Sequence, residues 1–291
     1  MQGTVDGLSY GLVTPLVAYL TACLGGALGL RCTTRSMAVT GARRPGLLAL
    51  GSAALGSGIW TMHYIAMTGF TVKGTTLHYD RAMTFASLAL AIAMAGVGIF
   101  IVGYRGATGA ALFTGGTITG LGIASMHYLG MASISLHGEL EYNTLTVAAS
   151  VVIAMTAATA ALWAAGQVKG FLWSVGASLV MGLAVTGAHY TGMAALTVHV
   201  HGTSAPATGE SAGALLAPML TGPLALLVLA AVVVILDPMM ISGPKAVTPA
   251  GRRPGVPAHP EAHSARHPTP TRRRLRYRGP VEHRTRTPQQ R

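Results

Sequence analysis

The sequence predicts an all-α membrane protein: a seven-transmembrane helix bundle of three repeated helical hairpins plus one helix, N-terminus out and C-terminus in. Three observations predict it. The 291 residues are 51% hydrophobic and only 10% charged, against about 25% charged in an ordinary soluble domain. Seven apolar stretches are long enough to cross ~30 Å of hydrocarbon, which takes roughly 20 residues each. One sequence pattern also recurs three times, at the ends of alternate stretches.

The first stretch covers 8–30. No basic segment precedes it and it is too long for a signal-peptide core, so a cleavable signal is not expected. Further spans follow at 46–68, 83–103, 110–133, 145–166, 172–196 and 215–237, joined by short polar links. Together, residues 8–237 form one membrane domain. Its 38 glycines for the whole chain suit helices that pack closely in lipid. Two cysteines, Cys23 and Cys32, are too few for a disulfide scaffold or a Cys-rich zinc module.

Charge sorts the links by side. Segments 31–45, 104–109 and 167–171 hold Arg31, Arg35, Arg43, Arg44, Arg105 and Lys169 and no acid. The alternate segments hold Asp6, Asp80, Glu139, Glu141 and Glu210, with only Lys73 and Arg81. The positive-inside bias then places the N-terminus outside. From Lys245 onward, 12 Lys and Arg stand against Glu261 and Glu282, which leaves +2 of the formal +12 for everything else. The overall basicity is therefore a property of the tail, 243–291, and nucleic acid is not an expected partner. Rich in Pro and Arg and poor in apolar residues, that tail is expected to be disordered and cytoplasmic, in reach of anionic lipid headgroups.

The repeat carries the chemistry. Gly56 to Met67, Gly120 to Met131 and Gly182 to Met193 share the pattern G-x-[GA]-[IV]-x-x-[MA]-H-Y-x-[AG]-M. Its histidines, His63, His127 and His189, are 64 and 62 residues apart. Two membrane crossings separate each motif from the next, so all three lie at one depth, in the outer leaflet by the charge argument. His and Met at i and i+4 are neighbours on a helix face. Each copy thus offers an imidazole and a thioether together: His63 with Met67, His127 with Met131, His189 with Met193. Tyr64, Tyr128 and Tyr190 are turned about 100° away and are better placed to reach a neighbouring helix or to support a ligand. His137 and His199 both fall ten residues after a motif histidine and are candidate extra ligands, although the first copy has Lys73 there. Imidazole and thioether without thiolate or clustered carboxylate favour copper, above all Cu(I), over hard cations. Zinc would accept the histidines but has little use for the methionines. Ionisable groups at membrane depth are functional by default, because burying them is costly.

At Met62-His63-Tyr64, Met126-His127-Tyr128 and Ala188-His189-Tyr190 the chain resembles the MHYT family of bacterial integral-membrane sensor domains. The fourth letter of that name appears only as Thr191; the other copies have Ile65 and Leu129, and the third has Ala188 for the leading Met. The resemblance implies a sensor of a diatomic gas (O2, CO or NO) acting through copper held by the motif His and Met residues. It also implies a separate cytoplasmic effector, because the 49 residues of Pro/Arg tail would not fold into a cyclase, phosphodiesterase or kinase module. Two other classes compete: copper transport or buffering, and haem ligation by paired histidines. Transport would want polar residues deeper in the bundle. An enzyme is not expected: no catalytic residue set is visible, and the Gly-x-Gly at 56–58 and 120–122 lies inside a span rather than after a strand.

Overall fold

The computed structural model describes residues 5–6, 11–72, 76–167, 171–200 and 210–236. The expected tail, 243–291, lies outside the described residues, as do Lys73 and Lys169. Seven helices are found among the described residues: α1 (Val13–Met37), α2 (Arg43–Thr68), α3 (Arg81–Arg105), α4 (Gly109–Ala132), α5 (Thr144–Gln167), α6 (Phe171–Ala194) and α7 (Ala212–Leu236). Six are long and apolar enough to cross a membrane; α2 is the exception. Its polarity has a physical cause, since Ser52, Ser57, Thr61 and His63 on α2 all face protein rather than lipid and are buried.

One boundary differs from expectation. The sequence places Arg31 and Arg35 in a link, yet α1 continues through both to Met37. The apolar run ends at Leu30, but Cys32, Thr33 and Ser36 in the next turns are buried, so packing carries the helix on.

The fold is also not purely helical. Among the described residues, seven short strands gather at the end where the motifs lie: β1 (Val5–Asp6), β2 (Thr71–Val72), β3 (His78–Tyr79), β4 (Ile134–Ser135), β5 (Gly138–Tyr142), β6 (Leu196–Val200) and β7 (Glu210–Ser211). The strand entering each hairpin pairs antiparallel with the strand leaving it: β1 with β2, β3 with β4, β5 with β6. The repeat is therefore β–α–α–β, used three times. Before α7, β7 adds to the free edge of β3. Asp80 and Asn143, which precede α3 and α5, cap them by accepting the backbone N–H of Met83 at 2.7 Å and of Thr146 at 3.1 Å. Such caps satisfy donors that a helix start leaves open.

Helices α1 to α6 close into a ring, each packed on the next and α6 on α1, while α7 lies outside against α2 and α1. Motif glycines make the joints between hairpins. A Cβ at Gly56 would strike the Ile92 backbone of α3 at 2.7 Å, one at Gly120 the Met155 backbone of α5, and one at Gly182 would meet Cys23 of α1. The same motif position thus joins each hairpin to the next around the ring. Within the first hairpin, Gly25 and Gly58 oppose each other, with a Cβ on Gly58 falling 2.6 Å from the Gly25 Cα. Small residues let backbones approach this closely in lipid, where dispersion contacts replace the hydrophobic drive.

Candidate metal centre

The histidines of α2, α4 and α6 meet on the ring axis. Their Nδ1 atoms form a near-equilateral triangle: His63 to His189 is 3.1 Å, His63 to His127 is 3.2 Å and His127 to His189 is 3.2 Å. The rings pair at 5.0 Å between centroids and stand 83–86° to one another, like the blades of a propeller. All three side chains are buried. Among the described residues they are the one group of three or more His, Cys, Asp or Glu whose ligand atoms could hold a metal ion.

Hydrogen bonding alone does not account for this triangle. A ring nitrogen has one in-plane direction and carries there either a proton or a lone pair. One shared proton could serve at most part of the triangle, leaving lone pairs directed at each other in a dry site. A cation at the centre satisfies all three. Ligand bonds of about 2.0 Å at tetrahedral angles require nitrogens about 3.3 Å apart, and the observed spacing matches. The donor set therefore fits a metal ion and leaves room for a further ligand. It does not fit haem held by paired histidines, since nitrogens 3.1–3.2 Å apart are too close to bind opposite faces of a porphyrin iron, which at bonds of about 2.0 Å takes about 4 Å.

Motif residues around the triad explain the rest of the pattern. A Cβ at Gly130 would lie 2.7 Å from the His63 Nε2, and one at Gly192 would lie 2.6 Å from the His127 Nε2. The glycine three residues after each histidine thus makes room for the imidazole of the preceding copy; Ala66 holds this place in the first copy. The Tyr64 hydroxyl lies 3.4 Å from the Ser87 hydroxyl on α3, and Tyr128 pairs with Ser150 on α5 at 2.7 Å. As expected from their turn away from the histidine, these tyrosines reach the adjacent helix. Ser87 also accepts the Trp60 indole N–H at 2.9 Å. Tyr190 differs: among the described residues its hydroxyl has no hydrogen-bond partner.

The methionines divide. Met67 and Met131 are buried one turn beyond their histidines, and Met193 is half-buried. A cavity of about 20 Å³ beside the triad is lined instead by Met62 and Met126, with His63, His127 and His189 at its wall. Sequence reasoning missed these two, because the third copy has Ala188 in their place. His137 and His199 do not join the triad. His199 sits on β6 and engages Glu141 of β5 through its Nε2 at 2.9 Å, while His137 lies in the turn before β5.

At the opposite end, Arg44 donates to the Gly103 carbonyl of α3 and stacks on the Tyr104 ring, 4.7 Å from its centroid. Arg35 and Arg43 are at this end too, whereas Glu139 and Glu141 are on β5 at the motif end.

The profile of the MHYT family, described as a bacterial signalling protein N-terminal repeat, matches residues 56–115 and 120–178. Each match begins at a ring-joint glycine, Gly56 or Gly120. The bifunctional diguanylate cyclase/cyclic di-GMP phosphodiesterase MucR of Pseudomonas aeruginosa is 35% identical over 64% of this chain and 28% of its own length. The cyclic di-GMP phosphodiesterase NbdA of the same organism is 33% identical over 77% of this chain and 30% of its own. Signaling protein YkoW of Bacillus subtilis is 28% identical over 66% of this chain and 25% of its own. The chain thus spans about a quarter of the length of these relatives. No solved structure matches it. The apolar helices and these relatives make it a multi-pass protein of the bacterial inner membrane, in contact with membrane lipid. With its repeated motif, the two profile matches and these relatives, the chain belongs to the MHYT family of bacterial membrane signalling proteins.

Proposed function

We propose that this chain is a non-enzymatic membrane sensor in which His63, His127 and His189 together hold one copper ion, with the motif end facing outward. The triangle of Nδ1 atoms at 3.1–3.2 Å carries this reading. Bound there, copper would supply a redox-active centre able to take a diatomic ligand such as O2, CO or NO. The imidazoles orient the ion, the helix packing keeps water out, and buried methionines provide thioethers suited to Cu(I). Met67, Met131 and Met193 are the thioether candidates from the repeat; Met62 and Met126 compete with them from the cavity wall.

Output through a separate cytoplasmic effector of cyclic di-GMP turnover is supported by the activities in the names of MucR and NbdA. Transport is less well supported. Deeper in the bundle, the Thr33 and Ser178 hydroxyls donate to carbonyls of their own helices, and Thr119 to Met94 on α3. They line a cavity otherwise walled by apolar residues and glycine, which offers an ion no ladder of ligands.

Metal analysis of the purified chain tests the shared site. Copper is expected at one ion per chain, and His63→Ala, His127→Ala or His189→Ala should each abolish most of it and alter the spectrum of the remainder. Loss of about a third per substitution, with an unchanged spectrum, would mean separate sites. Among the methionines, comparing Met62→Leu and Met126→Leu with Met67→Leu and Met131→Leu identifies the Cu(I) ligands: the true pair lowers Cu(I) affinity and spares Cu(II).

A further inference from the structure

The three hairpins are not equivalent at their internal crossings. The ring joints set the correspondence, since Cys23, Ile92 and Met155 all meet the first glycine of a motif. Two residues on from these stand Gly25, Met94 and Ala157, and two on from the motif glycines stand Gly58, Gly122 and Ala184. In the first hairpin this crossing is glycine on glycine; in the second, Gly122 takes the Met94 side chain. In the third it is Ala157 and Ala184, and both line a groove instead. Nothing meets a Cβ built at Gly176 or Gly187, so the glycines of α6 on this side do not draw the helices together.

The groove between α5 and α6 measures about 730 Å³ and is flanked by Trp163 and Trp173, both exposed on the apolar surface. Its inner wall is Ala157, Ala161, Ala164, Ala177 and Met181, and these same residues line a cavity of about 30 Å³ inside the ring. That cavity in turn shares Ile59, Ile123 and Val185 with the cavity beside the triad. Three spaces with common walls thus lead from the lipid-facing surface to the histidines. Met181 borders both groove and inner cavity, and its terminal methyl fills the place a side chain at Gly26 would take. A flexible thioether is the kind of side chain that can swing aside.

We propose that the α5–α6 seam is a lateral entrance through which a small apolar molecule passes from the bilayer, past Met181, to the cavities beside the histidine triad. Volumes of about 30 and 20 Å³ admit a molecule of two or three heavy atoms and exclude a lipid chain or a cofactor. The cavity inside the ring is walled mostly by apolar residues, and such walls favour apolar occupants over water or ions. Diatomic gases are of this class and concentrate in hydrocarbon. The physiological meaning rests on the triad being a gas-responsive centre; the entrance itself needs no metal.

Xenon is the probe, since it occupies dry apolar cavities. The full chain in lipid nanodiscs, freed of metal, is titrated with xenon and its exchange followed by 129Xe NMR. One saturable site is expected. Exchange should slow about tenfold in Ala161→Leu, which fills the shared wall, and quicken several-fold in Met181→Ala, which removes the gate. The two variants act in opposite directions, so a folding defect in one cannot imitate the result. Absence of a saturable xenon site, or exchange rates indifferent to both substitutions, overturns the proposal. Copper content measured separately reports on the triad, so the entrance can stand where the metal reading falls, and the reverse.

Discussion

The Tyr190 hydroxyl is buried without a partner, whereas Tyr64 and Tyr128 reach Ser87 and Ser150 on the following helix. Those serines lie five residues before Ile92 and Met155, and the matching position on α1, five before Cys23, is Ala18. An alanine there has no hydroxyl to offer. Ala18→Ser should therefore supply a partner to Tyr190 and raise stability by about 1 kcal/mol, read as a higher unfolding temperature in detergent. Tyr128→Phe should cost about as much, because it removes the Tyr128–Ser150 bond and leaves Ser150 only its bond to the Val147 carbonyl, while Tyr190→Phe loses nothing. A destabilised Ala18→Ser would show that α1 does not face Tyr190. Gly192 gives the sharper test of the triad. Its Cβ would fall 2.6 Å from the His127 Nε2, so Gly192→Ala must displace that ring, and metal affinity should fall about 10- to 100-fold, as when a ligand's support is lost. The histidines were legible because they repeat with their neighbours. The serines were not, since a single serine 22 or 23 residues past a tyrosine carries no local pattern.

Among the elements, α2 shows what hydropathy reads and what it misses. A helix buried on most sides by protein does not need lipid-soluble side chains, so its polar residues mark a central position. Its seam with α1 depends on Gly58, and Gly58→Leu should force the two backbones apart and cost about 1–3 kcal/mol, measured as lost thermal stability or expression. The strands of the cap were not legible in sequence, because pieces of two to five residues are too short for an alternating pattern to declare itself. One of them makes a pH prediction. Burial pushes the Tyr142 phenol up to about 12, with Tyr128 adding to the effect. A phenol raised above its ordinary value of 10.0 stabilises the fold fully below that pH and loses its contribution as pH rises through about 12. Thermal unfolding between those values should show this loss, and Tyr142→Phe should remove it.

At the scale of the molecule, the seven helices, six of them apolar enough to cross a membrane, and the hairpin repeat could be read from the chain. Helix ring order could not. Motif glycines announce three close contacts, but not that the third is made with α1, because Cys23 bears no mark of its partner. Orientation can be tested directly. A reporter fused after Gly243 should be active only in the cytoplasm and one near Gly209 only outside; the reverse pattern would put the triad at the inner face. Arginines at one end of the bundle and Glu139 and Glu141 at the other agree with the first outcome.

Closure of the ring by Gly182 against Cys23 also sets an order of events during synthesis. The first and last histidines are 126 residues apart, an interval of about 6–25 s at typical elongation rates. Throughout that time α1 lacks its α6 partner, and the triad lacks His189. The histidine triad therefore comes together only after most of the helices have been made, and a nascent chain stalled before α6 lacks the third imidazole.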